Sequence, residues 1–202
     1  MRVVPTVLLV AIVAVAPAEG RGQAADVVEV PLRILGGRLV VPVTASDGTR
    51  LSFALSTGST RTVLSASGSE RVGEAGTLAL GGLPVPTEGI HTVPDERLTV
   101  EGTVLDGMVG SNMLNGFDIL VYAPGRRLAL RPVGGSPVWA GANLGDPVPL
   151  RVYHGMVLGL DVEVNGTGYP AMLDLGTPSL LFNDRVKEEA GVEGGRARSV
   201  RL

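Results

Sequence analysis

The chain has 202 residues and a formal net charge of −3, which suits one domain or two small ones and argues against a nucleic-acid-binding surface. It contains no cysteine, which excludes disulfides and thiolate metal sites, and aromatic residues make up only 3% of it. The core must therefore be aliphatic, and the 29 glycines and 14 prolines are typical of many short strands and turns.

Residues 1–18 have the pattern of a secretory signal peptide. Arg2 supplies the positive start, an apolar run follows at 3–15, and residues 16–18 form a small-x-small cleavage site. The run is shorter than the roughly 20 residues that a membrane-spanning helix needs. We therefore expect the signal (1–18) to be removed, a short linker (19–25) to follow, and the protein to be periplasmic or secreted without a stable membrane anchor.

Short apolar segments rich in valine and leucine follow along the rest of the chain and are typical of strands. They lie at 27–30, 39–43, 51–55, 62–65, 76–82, 118–122, 127–130, 157–164 and 169–173. Asp47-Gly48 predicts a tight hairpin turn, because Asp-Gly readily adopts the positive φ angles of such turns. Only 184–190 has a convincing helical pattern, ended by Gly191. The sequence therefore predicts an all-β protein with one or two short helices.

A short motif occurs twice without a gap, at residues 47–60 and 165–178. Each copy contains a turn, a strand and a loop of small residues. A shift of 118 aligns Gly48 with Gly166, Leu55 with Leu173, Gly58 with Gly176, Ser59 with Thr177, and Ser56 with Asp174. The repeat predicts two lobes with a site between them, to which one lobe contributes a hydroxyl and the other a carboxylate.

These residues resemble the retropepsin-like aspartic peptidases, in particular their bacterial exported branch. Residues 53–59 are similar to the family's hydrophobic-hydrophobic-Asp-Thr-Gly-Ala/Ser loop, and 106–114 to its Asp-Gly-Ile-Leu-Gly segment. Residues 171–177 look like a second catalytic loop. The likeness covers about residues 26–190. It implies a complete acid-protease β-barrel lobe (26–133), a linker (134–147) and a partial second lobe (148–202).

In that family two aspartates, one from each lobe, share a proton and hold a water between them, so that one acts as base and the other as acid. The resemblance implies that Asp174 is one of this pair and that Ser56 stands at the position of the other. It also implies an extended peptide or protein as substrate or ligand, with no cofactor and no metal. The supporting residues it implies are Thr57, Gly58, Ser59, Gly176 and Thr177 in the loops and Met108, Val109 and Gly110 beneath them.

The sequence departs from the family pattern in three places. Ser56 replaces an aspartate, and Leu175 replaces a threonine that helps to brace the two loops. The second apolar-apolar-Gly segment is also missing, because the 52-residue step from Gly58 to Gly110, taken from Gly176, would end near residue 228. We therefore expect the second lobe to be cut short or completed by another chain, and the peptidase to be inactive or impaired.

Three alternatives to an impaired peptidase remain open. The fold could bind peptide without cleaving it, or two chains could form a homodimer that pairs their Asp174 loops, or the chain could be a structural or interaction module. A nucleophilic Ser56 would need a base within hydrogen-bond reach. No motif links it to His91, His154 or Lys187, so we expect Ser56 to hydrogen-bond locally.

Overall fold

The computed structural model describes residues 10–12, 27–73, 76–133, 146–153, 156–178 and 181–192. Its strands in chain order are β1 (Val10–Ile12), β2 (Val28–Pro31), β3 (Arg33–Leu35), β4 (Arg38–Ala45), β5 (Arg50–Leu55), β6 (Val63–Ser65), β7 (Leu78–Leu80), β8 (Leu83–Val85), β9 (His91–Val93), β10 (Thr99–Val100), β11 (Thr103–Val104), β12 (Gly107–Val109), β13 (Phe117–Tyr122), β14 (Arg127–Pro132), β15 (Arg151–Tyr153), β16 (Val157–Val164) and β17 (Thr167–Met172). Its helices are α1 (Ala66–Val72), α2 (Ser111–Leu114), α3 (Asp184–Glu189) and a 3₁₀ helix (Asp95–Leu98). The predicted all-β class is confirmed, with more short helices than expected.

The first lobe is built around a curled sheet that forms half of a barrel. Its strands follow the order β8-β7-β4-β5-β12-β6-β9, and β3 also pairs with β4. A second sheet has the order β1-β13-β14-β2. Buried side chains of both sheets form one core, in which aliphatic residues such as Val43, Leu80 and Leu128 surround the fully buried Phe53. This core holds the strands that carry the site in a fixed position.

The strand β1 lies inside the segment that the sequence predicts to be a signal peptide. It pairs antiparallel with β13, so that Val10 is opposite Val121. Removal of the signal would leave this edge of β13 without that partner. The signal peptide itself stays a prediction.

Strand β12 lies between β5 and β6 in the sheet. The segment that joins β5 to β6 must therefore cross over the end of β12. Strand β12 runs parallel to β5 and antiparallel to β6. The carbonyl of Val109 accepts a 3.0 Å hydrogen bond from the N–H of Ser56. A Cβ on Gly110 would lie 2.4 Å from the backbone of Arg61, so only glycine lets the crossing segment pass this closely. The predicted apolar-apolar-Gly segment thus supports the loop that begins at Ser56.

Asp106 fixes the approach to β12. One carboxylate oxygen accepts a 2.7 Å hydrogen bond from the N–H of Ser52, and the other accepts one of 2.5 Å from Arg71. A Cβ on Gly68 would collide with the carbonyl oxygen of Asp106, so helix α1 packs directly on this backbone. Asp106 is 6% exposed and has a structural role away from the lobe boundary.

The second lobe repeats part of the first. Its sheet has the order β15-β16-β17, followed by a loop and helix α3. The 118-residue shift carries β3 onto β15, and it carries the N-cap Ser65 of α1 onto the N-cap Asn183 of α3. Each cap accepts a hydrogen bond from the N–H three residues later, at Gly68 and Val186. The repeat therefore extends from strand to helix, beyond the motif visible in the sequence.

The local turn predictions agree with the structure. Asp47-Gly48 lies in the β4–β5 hairpin, with φ of +88° at Gly48 and a 2.8 Å hydrogen bond from the N–H of Thr49 to Asp47. Asn165 and Gly166 form the two-residue turn between β16 and β17, both with positive φ. Helix α3 begins at Asp184, as expected. Most of the predicted linker (134–147) lies outside the described residues.

Candidate functional site

Two loops meet face to face between the lobes. The first loop, residues 56–59, follows β5, and the second loop, residues 174–177, comes shortly after β17. The hydroxyl of Ser56 donates a 2.8 Å hydrogen bond to Oδ1 of Asp174. The structure therefore places in direct contact the two positions that the sequence repeat aligns. Ser56 is 3% exposed, and Asp174 is partly buried.

Four donors hold the carboxylate of Asp174. Besides the Ser56 hydroxyl, Oδ1 accepts hydrogen bonds from the N–H groups of Gly58 (3.1 Å) and Gly176 (2.8 Å), and Oδ2 accepts one from the Thr177 hydroxyl (2.7 Å). Partial burial works to raise the pKa of Asp174, but the four hydrogen bonds outweigh it, so the pKa lies below its ordinary value. Asp174 is therefore an ionised carboxylate at neutral and mildly acidic pH.

Among the residues that the structure describes, Ser56 has no strong base within hydrogen-bond reach. Its proton is directed at Asp174, whose lowered pKa makes it a weak base. Its oxygen accepts a 3.0 Å hydrogen bond from the N–H of Ser59. His91 lies 2.9 Å from the guanidinium of Arg61 instead, and His154 lies outside the described residues. Within the described residues, Ser56 therefore hydrogen-bonds only inside the site and has no histidine or lysine partner that could activate it as a nucleophile.

Thr57 braces the two loops. Its hydroxyl donates a 2.6 Å hydrogen bond to the carbonyl of Leu173 and accepts one of 3.1 Å from the N–H of Leu175. Thr57 is completely buried. Because Leu175 carries no hydroxyl, the second loop cannot make the equivalent pair of hydrogen bonds to the backbone of the first loop. The bracing that the resemblance implies is present in one direction only.

Each loop also needs its glycine. A Cβ on Gly58 would lie 2.8 Å from Cγ of Asp174, and a Cβ on Gly176 would lie 2.8 Å from Cβ of Ser56. The glycine of each loop thus packs against the key side chain of the other. This reciprocal contact shows that the sequence repeat corresponds to an approximate twofold arrangement of the two loops.

The two loops form the floor of a cleft of about 420 Å³. Its lining also includes four apolar side chains and two arginines. The apolar residues are Val63, Val93, Leu98 and Met108, and the arginines are Arg38 and Arg97. No sequence pattern predicts that these two arginines share a cleft, because neither belongs to a motif and they are 59 residues apart. A second depression, about 330 Å³ beside the exposed Glu29–Arg127 ion pair, contains neither loop.

The described residues contain no cluster of three His, Cys, Asp or Glu side chains that could hold a metal ion. Within the same ranges, no helix combines the length and the apolar character needed to cross a membrane.

No protein-family model matches the chain, and a search of curated proteins finds no match. The geometry of the two loops is thus the main support for any function of this protein.

The close approach of Gly176 to the first loop can be tested by Gly176→Ala. The new methyl would lie 2.8 Å from Cβ of Ser56 and 3.0 Å from the carbonyl oxygen of Leu55, so we expect a loss of about 1–3 kcal/mol in the free energy of unfolding. Urea denaturation measures it. Gly168→Ala in β17 meets no atom within 4 Å and is the matched control, expected within about 0.5 kcal/mol of wild type. Equal stability of the two variants would contradict a close approach of Gly176 to the first loop.

The bracing by Thr57 can be tested by Thr57→Val, which keeps the shape of the side chain but removes its hydroxyl. The N–H of Leu175 and the carbonyl of Leu173 would lose this partner at a buried position, at an expected cost of about 1–3 kcal/mol. Thr44→Val, on the exposed face of β4, is the control and should have little effect. A Thr57→Val protein as stable as its control would show that the hydroxyl does not join the lobes.

Proposed function

We propose that this protein is an exported member of the retropepsin-like aspartic peptidases that binds extended peptides in its cleft and has lost most or all peptide hydrolysis. The observation that carries the proposal is the contact between Ser56 and Asp174. Two pseudo-equivalent loops meet as catalytic loops of that family would, but only one of them supplies a carboxylate. The predicted signal peptide is the basis for the exported location.

Hydrolysis by such a site requires a shared proton. Two carboxylates at close range cannot both ionise, so one is a base towards water while the other donates a proton to the scissile carbonyl. Here the Ser56 hydroxyl is neutral, and it donates a hydrogen bond to the carboxylate of Asp174. Because its pKa is lowered, Asp174 is already ionised and has no proton to donate, and its carboxylate is a weak base. The site therefore lacks general acid–base catalysis, which contributes typically about 10²–10⁴ in rate.

Binding does not need the missing carboxylate. The cleft still has an apolar wall formed by residues such as Val93, Leu98 and Met108, and Asp174 on its floor. An extended peptide could add backbone hydrogen bonds and place alternate side chains against that wall. The cleft thus has the apolar and polar groups that peptide binding needs.

A homodimer that pairs two Asp174 loops is less well supported. The second loop is already joined to the first by Ser56, Thr57 and Gly58, and pairing with another copy would break these contacts. A cleft filled by side chains would favour the interaction-module alternative, whereas about 420 Å³ is open here. Both alternatives make predictions that differ from peptide binding by a monomer.

The proposal can be tested by restoring the carboxylate with Ser56→Asp. We expect the variant to cleave peptides between about pH 3 and 6, at least about 100-fold faster than wild type, because two carboxylates can then share a proton. Activity should fall above that range, once both are ionised. Cleavage of an unstructured peptide library, read by mass spectrometry, provides the measurement.

Two variants serve as controls for this experiment. Ser56→Ala should gain nothing, and the double variant Ser56→Asp/Asp174→Asn should lose what Ser56→Asp gained. A folded Ser56→Asp protein that cleaves no peptide at any pH would contradict the idea that Ser56 alone blocks hydrolysis.

A further inference from the structure

Two arginines line the cleft without a partner among the described residues. Arg38 opens β4, directly after the glycine turn at 36–37, and Arg97 lies in the last turn of the 3₁₀ helix. Neither guanidinium makes a hydrogen bond or an ion pair within the described ranges. By contrast, Arg71 and Arg131 each pair with an aspartate. Arg38 and Arg97 are therefore cations without a direct hydrogen-bond or ion-pair partner in the described part of the chain.

The backbone holds both arginines at the border of one small apolar cluster. Its buried members are Val40, Ala54, Leu98, Val100 and Leu105. Arg38 lies two residues before one of them on β4, and Arg97 directly precedes another. The turn before Arg38 packs so closely that a Cβ on Gly36 would lie 2.5 Å from the side chain of Val100. The two guanidiniums therefore extend from fixed backbone positions at the edge of the cleft.

The charge balance of the cleft favours an anionic group on the ligand. Asp174 is the one acidic side chain among the described residues that line it. Its carboxylate is held by hydroxyl and amide donors, none of which is an arginine. A bound peptide would cover the arginines and reduce their contact with water, which strengthens their attraction to a carboxylate.

We propose that the cleft selects extended peptides that present a carboxylate to Arg38 and Arg97, from an aspartate or glutamate side chain or from a free C-terminus. This inference rests on the proposed peptide binding and adds the chemical class of the ligand. Arginine suits this role because its planar guanidinium can donate two parallel hydrogen bonds to one carboxylate. The same charges disfavour lysine-rich and arginine-rich peptides.

The test measures binding of peptides that carry an uncharged BODIPY fluorophore to the wild-type protein by fluorescence anisotropy. The label is at the N-terminus, and four peptide libraries differ only in charge: glutamate-containing with an amidated C-terminus, glutamine-containing with a free C-terminus, glutamine-containing with an amidated C-terminus, and lysine-containing with an amidated C-terminus. We expect one or both carboxylate libraries to bind at least about tenfold more tightly than the neutral amidated library. The first two libraries distinguish a side-chain carboxylate from a terminal one. The preference should weaken as salt is raised.

Charge-neutral variants assign the preference to the two arginines. Arg38→Gln/Arg97→Gln should bind all four libraries with similar affinity, because the glutamines keep much of the size but not the charge. Arg50→Gln removes an exposed arginine at the end of β5 farthest from the first loop and should keep the wild-type preference. Thermal unfolding of each variant checks that the fold is retained.

The outcomes separate this inference from the proposed function. Binding that is equal for all four libraries, or a preference that survives in Arg38→Gln/Arg97→Gln, would overturn the inference and leave peptide binding intact. Absence of binding to every library by the folded wild-type protein would overturn both. A carboxylate preference that is lost in the double variant and kept in Arg50→Gln would support both.

Discussion

The carboxylate of Asp174 is the point on which the arrangement of the two lobes depends. It lies in the second loop and accepts hydrogen bonds from Ser56 and Gly58 of the first loop as well as from its own loop. Burying an ionised carboxylate between the lobes costs hydration free energy. The hydrogen bonds from these donors offset that cost. The same hydrogen bonds join the lobes and form the floor of the cleft.

The chemistry of the site follows from the asymmetry of this contact. The glycines and the bracing threonine let the two loops pack closely against each other. The first loop, however, presents a hydroxyl where proton sharing needs a second acid. The hydrogen bonds that stabilise the ionised form of Asp174 leave it without a proton to donate and make it a weak base. For this reason we propose a cleft that binds a peptide without cleaving it.

Local chemistry explains which parts could be predicted from sequence. Strands, the Asp47-Gly48 hairpin and helix α3 follow from short-range patterns, and the 118-residue repeat was enough to pair Ser56 with Asp174. The site residues that escaped prediction come from distant segments. Arg38 and Arg97 share a cleft only because the 3₁₀ helix and the β3–β4 turn border the same apolar cluster. Helix α1 was missed because its short, serine-containing segment is a weak helix former that depends on its cap and on packing against Asp106.

The most direct test of the central claim is whether the wild-type protein turns over any peptide. Purified protein would be incubated with a diverse peptide library across pH 3 to 8, with mass spectrometry used both for cleaved products and for peptides retained on the protein. Asp174→Asn would serve as the control for cleavage. We expect peptides to be retained on the protein and no cleavage above that of the control at any pH. Cleavage that Asp174→Asn abolishes would contradict it, because a second proton-sharing group would then have to act with Asp174.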